Sequence, residues 1–212
     1  MPESTERVPL SRTRIAAAAI ELGDRDGLDA LTMRGIGSEL GVEAMSLYNH
    51  VANKEDLFDA VGDLMYTRVL ERYGPSPNSA WQDDAWAMVT AFYEVVTEHM
   101  NISPIMLDRV IPSGMRVLYL QKCYEIFLKA GFTLVPATLT FNTVASWLTG
   151  AVRSESWMTQ LSELGPADAA DLPEELQGAV GFINCCTDTT AEQRLRAGFD
   201  TIIAGIEAQL SG

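Results

Sequence analysis

The side chains that most often carry catalysis or hold a metal are few in this chain. There are two histidines, His50 and His99, and they lie far apart in the sequence. No Ser-His-Asp, Cys-His or paired-carboxylate pattern is visible, although general acid-base chemistry needs such groups close together. Cys123, Cys185 and Cys186 have no metal-type spacing. We therefore predict no catalytic residue, no metal and no cofactor.

The three cysteines are too few, and odd in number, for a disulfide framework. The adjacent pair Cys185-Cys186 has no basic neighbour that would favour a thiolate. A structural role is therefore favoured over redox sensing for this pair.

The charge of the chain is strongly acidic, with 15 Lys and Arg against 29 Asp and Glu and a net charge of -14. Any nucleic-acid binding must therefore use a local basic face and not a general field. An apolar content of 47% with 21% charged residues is typical of a globular protein. No apolar run reaches the roughly 18 to 20 residues of a membrane span, and residues 1–10 are polar. We expect a cytoplasmic protein without a membrane partner.

Residues 32–50 have the pattern of two short helices joined by a tight turn. Gly37 is a small residue at the position where the helices would touch, and Gly41 can take the positive φ of the turn. The apolar side chains of a small shared core are Ile36, Leu40, Val42 and Leu47. Such a pair leaves one side of its second helix exposed, and that side fits a DNA major groove. The pattern predicts a helix-turn-helix.

The elements around this motif are all predicted to be helices, because no stretch alternates apolar and polar residues as a strand does. Capping residues mark several helix starts, and a glycine or proline follows several helix ends. In the N-terminal part the predicted helices run from Ser11 to Gly27, Thr32 to Gly41, Ala44 to His50 and Asn53 to Tyr73, with Asp56 completing a capping box at Asn53.

Residues 74–79, with the sequence GPSPNS, are the strongest linker signal in the chain. They predict a division into domains at 1–73 and 79–212. In the second domain, long helices are predicted from Ser79 to about Met100, from Ser113 to Gly131, from about Ala137 to Leu161 and from Thr190 to Leu210. A short helix is predicted to begin at Ser103-Pro104, and Gln193 completes the start signal at Thr190. Residues 162–189 predict a long loop with one short helix.

The stretches "GLDALTMRGIGSELGV" and "MSLYNHVANKEDLFDAV", within residues 11–66, resemble the N-terminal domain of the TetR family of bacterial repressors. The rest of the chain resembles the tetracycline-repressor branch through its pattern of helices, "KAGF" and "FDTIIAGIEAQL". The resemblance implies an all-α fold with an N-terminal helix-turn-helix DNA-binding domain and a larger helical domain for ligand binding and dimerisation. It also implies a homodimer that binds a palindromic double-stranded DNA operator and is released by a ligand.

The resemblance assigns six residues to the recognition helix or its entrance by position: Ala44, Met45, Ser46, Tyr48, Asn49 and His50. It places at positions that grip phosphates Thr32, Arg34, Tyr48, His50 and Lys54. The chemistry agrees, because cations neutralise phosphates and hydroxyls donate to them. The Asn49 amide could read adenine, and the Ser46 hydroxyl could bond to either a donor or an acceptor on a base. Met45 or Ala44 could contact a thymine methyl group. Further backbone or minor-groove contacts are expected from Arg7, Arg12 and Arg14.

Two residues depart from the family pattern, Glu43 in the turn and Asn49 on the recognition helix. They leave that helix without Arg or Lys, so we expect no bidentate contact to guanine from it. Glu43 is either a residue favoured at a helix start or a cytosine reader. His50 is either a phosphate contact or a partly packed histidine, and Tyr48 is partly a core residue in one interpretation.

The C-terminal part is rich in aromatic and Met side chains, which most often fill a core and in some cases line an apolar pocket. The candidate ligand-binding residues are Trp86, Phe92, His99, Met106, Met115, Tyr119, Phe127, Phe141 and Trp147. Candidate polar anchors are His99, Asn101, Arg109, Gln121 and Asn142. The tetracycline branch holds magnesium through a histidine, and the corresponding "SPIMLDRVIPSG" has none. We expect a small hydrophobic effector that binds without magnesium.

The last predicted helix carries one apolar stripe, formed by Leu195, Phe199, Ile202, Ile206 and Leu210, with Gly198 and Gly205 allowing close approach. The helix before it presents Phe141, Val144, Leu148 and Val152. These two faces can pack within one chain or build a four-helix interface between two copies. The family resemblance favours the homodimer.

The sequence thus predicts a ligand-responsive transcriptional regulator, a repressor in the first instance and not an enzyme. The alternative is a small-molecule-binding or enzymatic helical protein that has lost DNA binding. The acidic charge and the recognition helix without a basic residue support that alternative.

Overall fold

The computed structural model describes residues 9–75, 78–109, 113–163, 173–174, 180–181, 184–185 and 188–210. The elements among them are helices, as the sequence predicts. The α-helices are α1 (Arg12–Asp26), α2 (Met33–Leu40), α3 (Ala44–Leu47), α4 (Lys54–Arg72), α5 (Trp81–Glu98), α6 (Pro104–Leu107), α7 (Gly114–Lys129), α8 (Leu134–Glu163) and α9 (Ala191–Leu210). Single 3₁₀ turns lie at Leu28–Ala30 and Met100–Ile102. No helix in the described part of the chain has the length and apolar character needed to cross a membrane.

The chain folds as two compact units. The first takes in the described residues within 1–77 and 87–123, and the second takes in those within 78–86 and 124–212. The division of the sequence at the 74–79 linker stays a prediction, since the first unit also takes in residues 87–123.

The helix starts in the first unit follow from side-chain caps. The Ser11 hydroxyl accepts a hydrogen bond from the Arg14 N–H at 3.2 Å, and the Thr32 hydroxyl accepts one from Gly35 N–H at 3.0 Å. The Asn53 side chain accepts one from the Asp56 N–H at 2.9 Å. These caps satisfy N–H groups that have no partner inside the helix, so all three predicted starts are confirmed.

The core of the first unit lies where α1 packs against α2 and α4, with α3 packed on α2. Its fully buried side chains include Ile15, Ile20, Leu31, Ile36, Leu47, Leu57, Val61 and Met65. Burial of each large aliphatic side chain contributes about 1.5 to 3 kcal/mol. Helices α1 and α4 thereby form the frame that holds α2 and α3 in place.

In the second unit α9 packs on α8. The start of α9 is a capping box, in which Thr190 Oγ1 accepts from Gln193 N–H at 3.1 Å and Gln193 Oε1 accepts from Thr190 N–H at 2.8 Å. The buried face of α9 is formed by Leu195, Phe199, Ile203 and Ile206. The predicted apolar stripe contained Ile202, but the structure buries Ile203 instead. The Leu210 side chain lies outside the described residues.

Three predicted boundaries differ from the structure. Helix α3 ends at Leu47 instead of His50, and α8 begins at Leu134 instead of Ala137. The earlier start places Pro136 in the first turn of α8, where a residue without an N–H costs no helical hydrogen bond. The predicted loop at 162–189 lies mostly outside the described residues, and α8 continues through Glu163.

Candidate nucleic-acid interface

The turn between α2 and α3 has the geometry that the two glycines predict. Gly41 takes the left-handed conformation, with φ 64° and ψ 36°, and the Val42 N–H donates to the Gly37 carbonyl oxygen at 2.9 Å. A Cβ atom on Gly37 would lie 3.0 Å from the Val42 carbonyl oxygen and 3.2 Å from the Ala44 nitrogen. The backbone entering α3 therefore lies directly against α2, and a side chain at position 37 would separate them.

Residues 44–50, which comprise α3 and the turn after it and form the α3 segment, bury one side and expose the other. Leu47 is fully buried, whereas Met45 is 77% exposed and Tyr48 is 48% exposed. Asn49 and His50 are exposed as well, and they lie in a hydrogen-bonded turn that continues from α3, closed by His50 N–H donating to the Leu47 carbonyl oxygen at 2.9 Å. The predicted base-reading side chains thus share the solvent side of this segment, with Ala44 and Ser46 half-buried beside them.

Exposure bears on three residues whose interpretation the sequence left open, and both alternatives for Glu43 stay open. Glu43 is the exposed residue just before α3, and its side chain makes no capping hydrogen bond. His50 is exposed, which argues against its interpretation as a packed histidine. Tyr48 is half exposed, so its ring has one side available to a partner.

The candidate phosphate contacts at the starts of α2 and α4 are exposed as well. Thr32 and Arg34 at the start of α2 are exposed, and so is Lys54 at the start of α4. Because Thr32 Oγ1 accepts from Gly35, its own hydroxyl proton is left to donate to a phosphate oxygen. The Lys54 ammonium lies 5.3 Å from the centre of the Phe58 ring. Contact of these residues with DNA stays a prediction.

The first turn of α4 is tied to α1 by a pair that the sequence did not predict. Arg12 Nη1 lies 2.5 Å from Asp56 Oδ1, and Arg12 Nη2 donates to the Asp56 carbonyl oxygen at 3.1 Å. Asp56 Oδ2 accepts from the Ala52 N–H at 2.7 Å, one residue earlier than in the predicted capping box. This N–H bond, together with Arg12, lowers the pKa of Asp56. Of the three predicted arm arginines, Arg12 thus contacts α4, and Arg7 lies outside the described residues.

A second ion pair reaches the same turn from the segment between α6 and α7. Arg109 is paired with Glu55, and its guanidinium carbon lies 5.0 Å from the centre of the Phe58 ring. The Arg109 carbonyl oxygen accepts from Arg116 Nη1 at 3.2 Å. Arg109, a candidate ligand anchor in the sequence, therefore contacts α4.

His99 joins three segments of the first unit. Its Nδ1 lies 2.7 Å from Asp24 Oδ2, at the end of α1, and its Nε2 lies 2.8 Å from Arg68 Nη1 on α4. Because a guanidinium only donates, Nε2 accepts and Nδ1 carries the proton that it donates to Asp24. Asn101 Nδ2 also donates to the Asp24 carbonyl oxygen at 2.7 Å. Both His99 and Asn101, predicted ligand residues or anchors, are engaged by the end of α1.

The other candidate ligand residues of the first unit include an aromatic cluster. The Tyr119 ring lies 5.2 Å from Tyr66 and 5.7 Å from Phe92, measured between ring centres, and all three are buried. Burial raises the pKa of Tyr119 and of Tyr66, and it raises the pKa of the neighbouring Cys123 to about 12. The cluster is thus uncharged at neutral pH, with hydroxyl groups in an apolar setting.

The two candidate methionines of this unit occupy different places. Met106 is buried. Met115 lines a cleft of about 260 Å³ together with Arg12, Thr13, Ala60, Asp63, Leu64 and Thr67. The anchor candidate Gln121 is exposed on α7.

The remaining candidates lie in the second unit. The Trp86 ring centre lies 5.1 Å from that of Phe199, with the Arg196 guanidinium 4.8 Å above Trp86. The Trp147 indole occupies the space over Gly198, where Nε1 would lie 2.5 Å from an added Cβ. The predicted close approach is confirmed at Gly198, whereas a Cβ on Gly205 would meet no atom within 4 Å. Phe127 packs edge-on against Phe132, Phe141 is half-buried, and Asn142 is exposed.

Comparison with known families gives two matches that together cover most of the chain. Residues 15–61 match the family of bacterial regulatory proteins described as the tetR family. Residues 74–210 match the tetracyclin repressor-like C-terminal domain.

Individual relatives match most of the chain. A tetracycline repressor protein of class E from Escherichia coli is 26% identical over 201 residues, which are 95% of this chain and 92% of the relative. An HTH-type transcriptional regulator from Saccharopolyspora erythraea is 29% identical over 172 residues, 79% and 71% of the two chains. The crystal structure of ActR from Streptomyces coelicolor, a TetR family protein in complex with actinorhodin, is 25% identical, with a TM-score of 0.76 over 95% of this chain and 99% of that one.

Proposed function

Because this chain belongs to the tetR family of bacterial regulatory proteins, we propose that it is a ligand-responsive, DNA-binding transcriptional regulator. In the absence of effector it represses transcription from a palindromic operator, and a small hydrophobic molecule releases it.

The observation that carries the DNA half of this proposal is the exposed side of the α3 segment. Tyr48, Asn49 and His50 stand out from a backbone that Gly37 and Leu47 hold tightly against α2. A rigidly seated helix with exposed amide and hydroxyl groups is what base-edge and phosphate recognition require. Thr32, Arg34 and Lys54, which are exposed at the starts of α2 and α4, are proposed as the phosphate contacts.

The acidic net charge is compatible with this proposal because three carboxylates of the first unit are paired with arginines. In the first turn of α4, Asp56 is paired with Arg12 and Glu55 with Arg109. At the end of α1, Arg25 makes a two-pronged contact with Glu39, at 2.9 and 3.2 Å. A carboxylate paired in this way repels phosphate less than a free one.

The effector half of the proposal is supported by the relatives and by the aromatic residues. One relative is named for tetracycline and another was crystallised with actinorhodin. We propose that the buried cluster of Tyr66, Phe92 and Tyr119, with its aromatic rings and neutral hydroxyls, contacts such a molecule. We therefore propose a small aromatic compound, bound without a metal.

We further propose a homodimer that works in the cytoplasm and has no enzymatic activity. The described side chains of α8 and α9 leave apolar groups uncovered in a single chain. Trp157 is 69% exposed, and Phe141, Val144 and Ile202 are half-buried. A second copy that packs on these helices would cover them.

The proposal is tested by a mobility shift with fragments of the source genome at about 50 mM and 200 mM salt. Specific fragments should be retained, and their affinity should fall steeply with salt because phosphate contacts release counterions. The matched control is the Asn49→Ala/Lys54→Ala double variant, which should fold and lose the specific fragment. If no fragment is retained at low salt, the chain is a helical small-molecule-binding protein that has lost DNA binding.

The effector is tested on the preformed complex with DNA. Aromatic compounds that quench tryptophan fluorescence saturably should weaken operator binding. By linkage, a compound that weakens DNA binding tenfold must itself bind the DNA complex tenfold less tightly, a coupling of about 1.4 kcal/mol. Saturable binding that leaves operator affinity unchanged would remove the switch from the proposal and leave the DNA binding.

A further inference from the structure

The first turn of α4 combines charges that have opposite effects on a phosphate. Lys54 is followed directly by Glu55 and Asp56. Carboxylates at a helix start are favourable for the helix, because its N-terminus carries partial positive charge. They are unfavourable for a phosphate that approaches Lys54, because like charges repel. A DNA-binding role for this turn therefore requires the two carboxylates to be neutralised.

Both carboxylates are neutralised by arginines from other segments. Arg12 at the start of α1 is paired with Asp56. Arg109, from the segment between α6 and α7, is paired with Glu55. With these two ion pairs formed, Lys54 is the charged side chain of this turn that can attract a phosphate.

Arg109 also shares an aromatic ring with Lys54. The Arg109 guanidinium carbon lies 5.0 Å from the centre of the Phe58 ring, and the Lys54 ammonium lies 5.3 Å from the same centre. The Arg109 backbone is held in turn by Arg116, which donates to its carbonyl oxygen at 3.2 Å. The Arg109 side chain is 30% exposed, against 69% for Glu55. Arg109 is thus the less exposed partner of the ion pair. Its guanidinium holds Glu55 beside Lys54, next to the Phe58 ring that both cations approach.

We infer that Arg109 is a positioning residue for operator binding, which acts by neutralising Glu55 beside the phosphate-contacting Lys54. This inference rests on the proposed function. It gives Arg109 a role in DNA affinity without contact to DNA, in a segment that the sequence assigns to the ligand-binding part of the chain.

The test is a double-variant cycle measured on the specific DNA fragment with the full chain. At low salt Arg109→Gln should weaken binding about three- to tenfold, because Glu55 is then uncompensated near the phosphates. Glu55→Gln should bind within about twofold of the wild type or more tightly. Adding Arg109→Gln to Glu55→Gln should change affinity by less than about twofold, since nothing is left to neutralise. Arg109→Lys, which keeps the charge, should restore most of the affinity.

Three results would overturn the inference. If Arg109→Gln binds as the wild type does, the pair has no role in DNA binding. If Arg109→Gln weakens binding equally with and without Glu55→Gln, Arg109 contacts DNA directly. If the loss of affinity is accompanied by a lower unfolding midpoint and persists in the double variant, Arg109 is merely structural. Retention of the fragment by the wild type separates these results from failure of the proposed function, in which the wild type itself retains no DNA.

Discussion

Arg12 and Asp56, which stand 44 residues apart in the sequence, join the starts of α1 and α4 through two contacts. One is the 2.5 Å ion pair between Arg12 Nη1 and Asp56 Oδ1, and the other is the 3.1 Å hydrogen bond from Nη2 to the Asp56 carbonyl oxygen. Asp56 also accepts the Ala52 N–H, which precedes the helix. One carboxylate thus fixes both the entry to α4 and its packing on α1.

This carboxylate should make stability depend on acid. The pKa of Asp56 is lowered in the folded chain, chiefly by the Ala52 N–H and further by Arg12. Its contribution is therefore complete above the unfolded pKa of about 4 and is lost as the pH falls through the lower folded value. At pH 7, Asp56→Asn should reduce the free energy of unfolding by about 1 kcal/mol. Urea unfolding at pH 7 and pH 3 checks this, and a difference from the wild type that does not shrink at pH 3 contradicts it.

Gly37 should be intolerant of a side chain because of its distance to the entry of α3. In Gly37→Ala the new methyl group meets the Val42 carbonyl oxygen at 3.0 Å. Relief of this contact moves α3 away from α2, so both the unfolding midpoint and operator affinity should fall, at a cost of about 1 to 3 kcal/mol in stability. Gly114→Ala, where an added Cβ meets no atom within 4 Å, is the control. Equal behaviour of the two variants in thermal unfolding would refute the steric argument.

Lys54→Ala should flatten the salt dependence of operator binding by about one unit of slope without unfolding the chain, because one phosphate contact is lost from an exposed side chain. Arg72→Ala is the matched control, since Arg72 lies at the other end of α4 and pairs with Glu98 at 3.1 Å. Titrations at four or five salt concentrations provide the slope. An unchanged slope in Lys54→Ala removes this residue from the interface.

Asn49→Ala should relax base preference at one position in each half-site, at a cost of about 1 to 3 kcal/mol for the preferred base. The reason is that Asn49 is exposed on the predicted groove-facing side and has an amide that can bond adenine. The measurement is binding to operators that carry each base in turn at that position. A uniform loss over all of them would make Asn49 a backbone contact instead.

Cys123 should be unreactive toward a thiol reagent in the folded protein. The thiol is buried and its pKa is raised to about 12, so little thiolate is present at pH 8. In the Cys185→Ser/Cys186→Ser variant, a chromogenic thiol reagent should therefore react with Cys123 only when the protein is unfolded. The wild type, in which Cys185 is exposed and free, should react at once. Rapid labelling of Cys123 in the folded variant would show that the site opens readily.

The sequence by itself determined the helices and the motif because the signals for both are local. Ser11, Thr32, Asn53 and Thr190 cap helices through bonds to residues only three positions away. The positive φ of Gly41 likewise depends on its own backbone. Such short-range rules fix the helix-turn-helix, and they also place its outward side chains, since the buried Leu47 orients the rest.

Only the tertiary structure decided which charged groups meet. Arg109 and Glu55 are 54 positions apart, and His99 and Asp24 are 75 apart. No periodicity links residues at such distances, because the folded path of the chain and not the local backbone brings them together. For the same reason His99, Asn101 and Arg109, which the sequence offered as ligand residues or anchors, contact α1 and α4. The choice between Ile202 and Ile203 on α9 also depended on where α8 lies, since adjacent residues of one helix differ in direction by only about 100°.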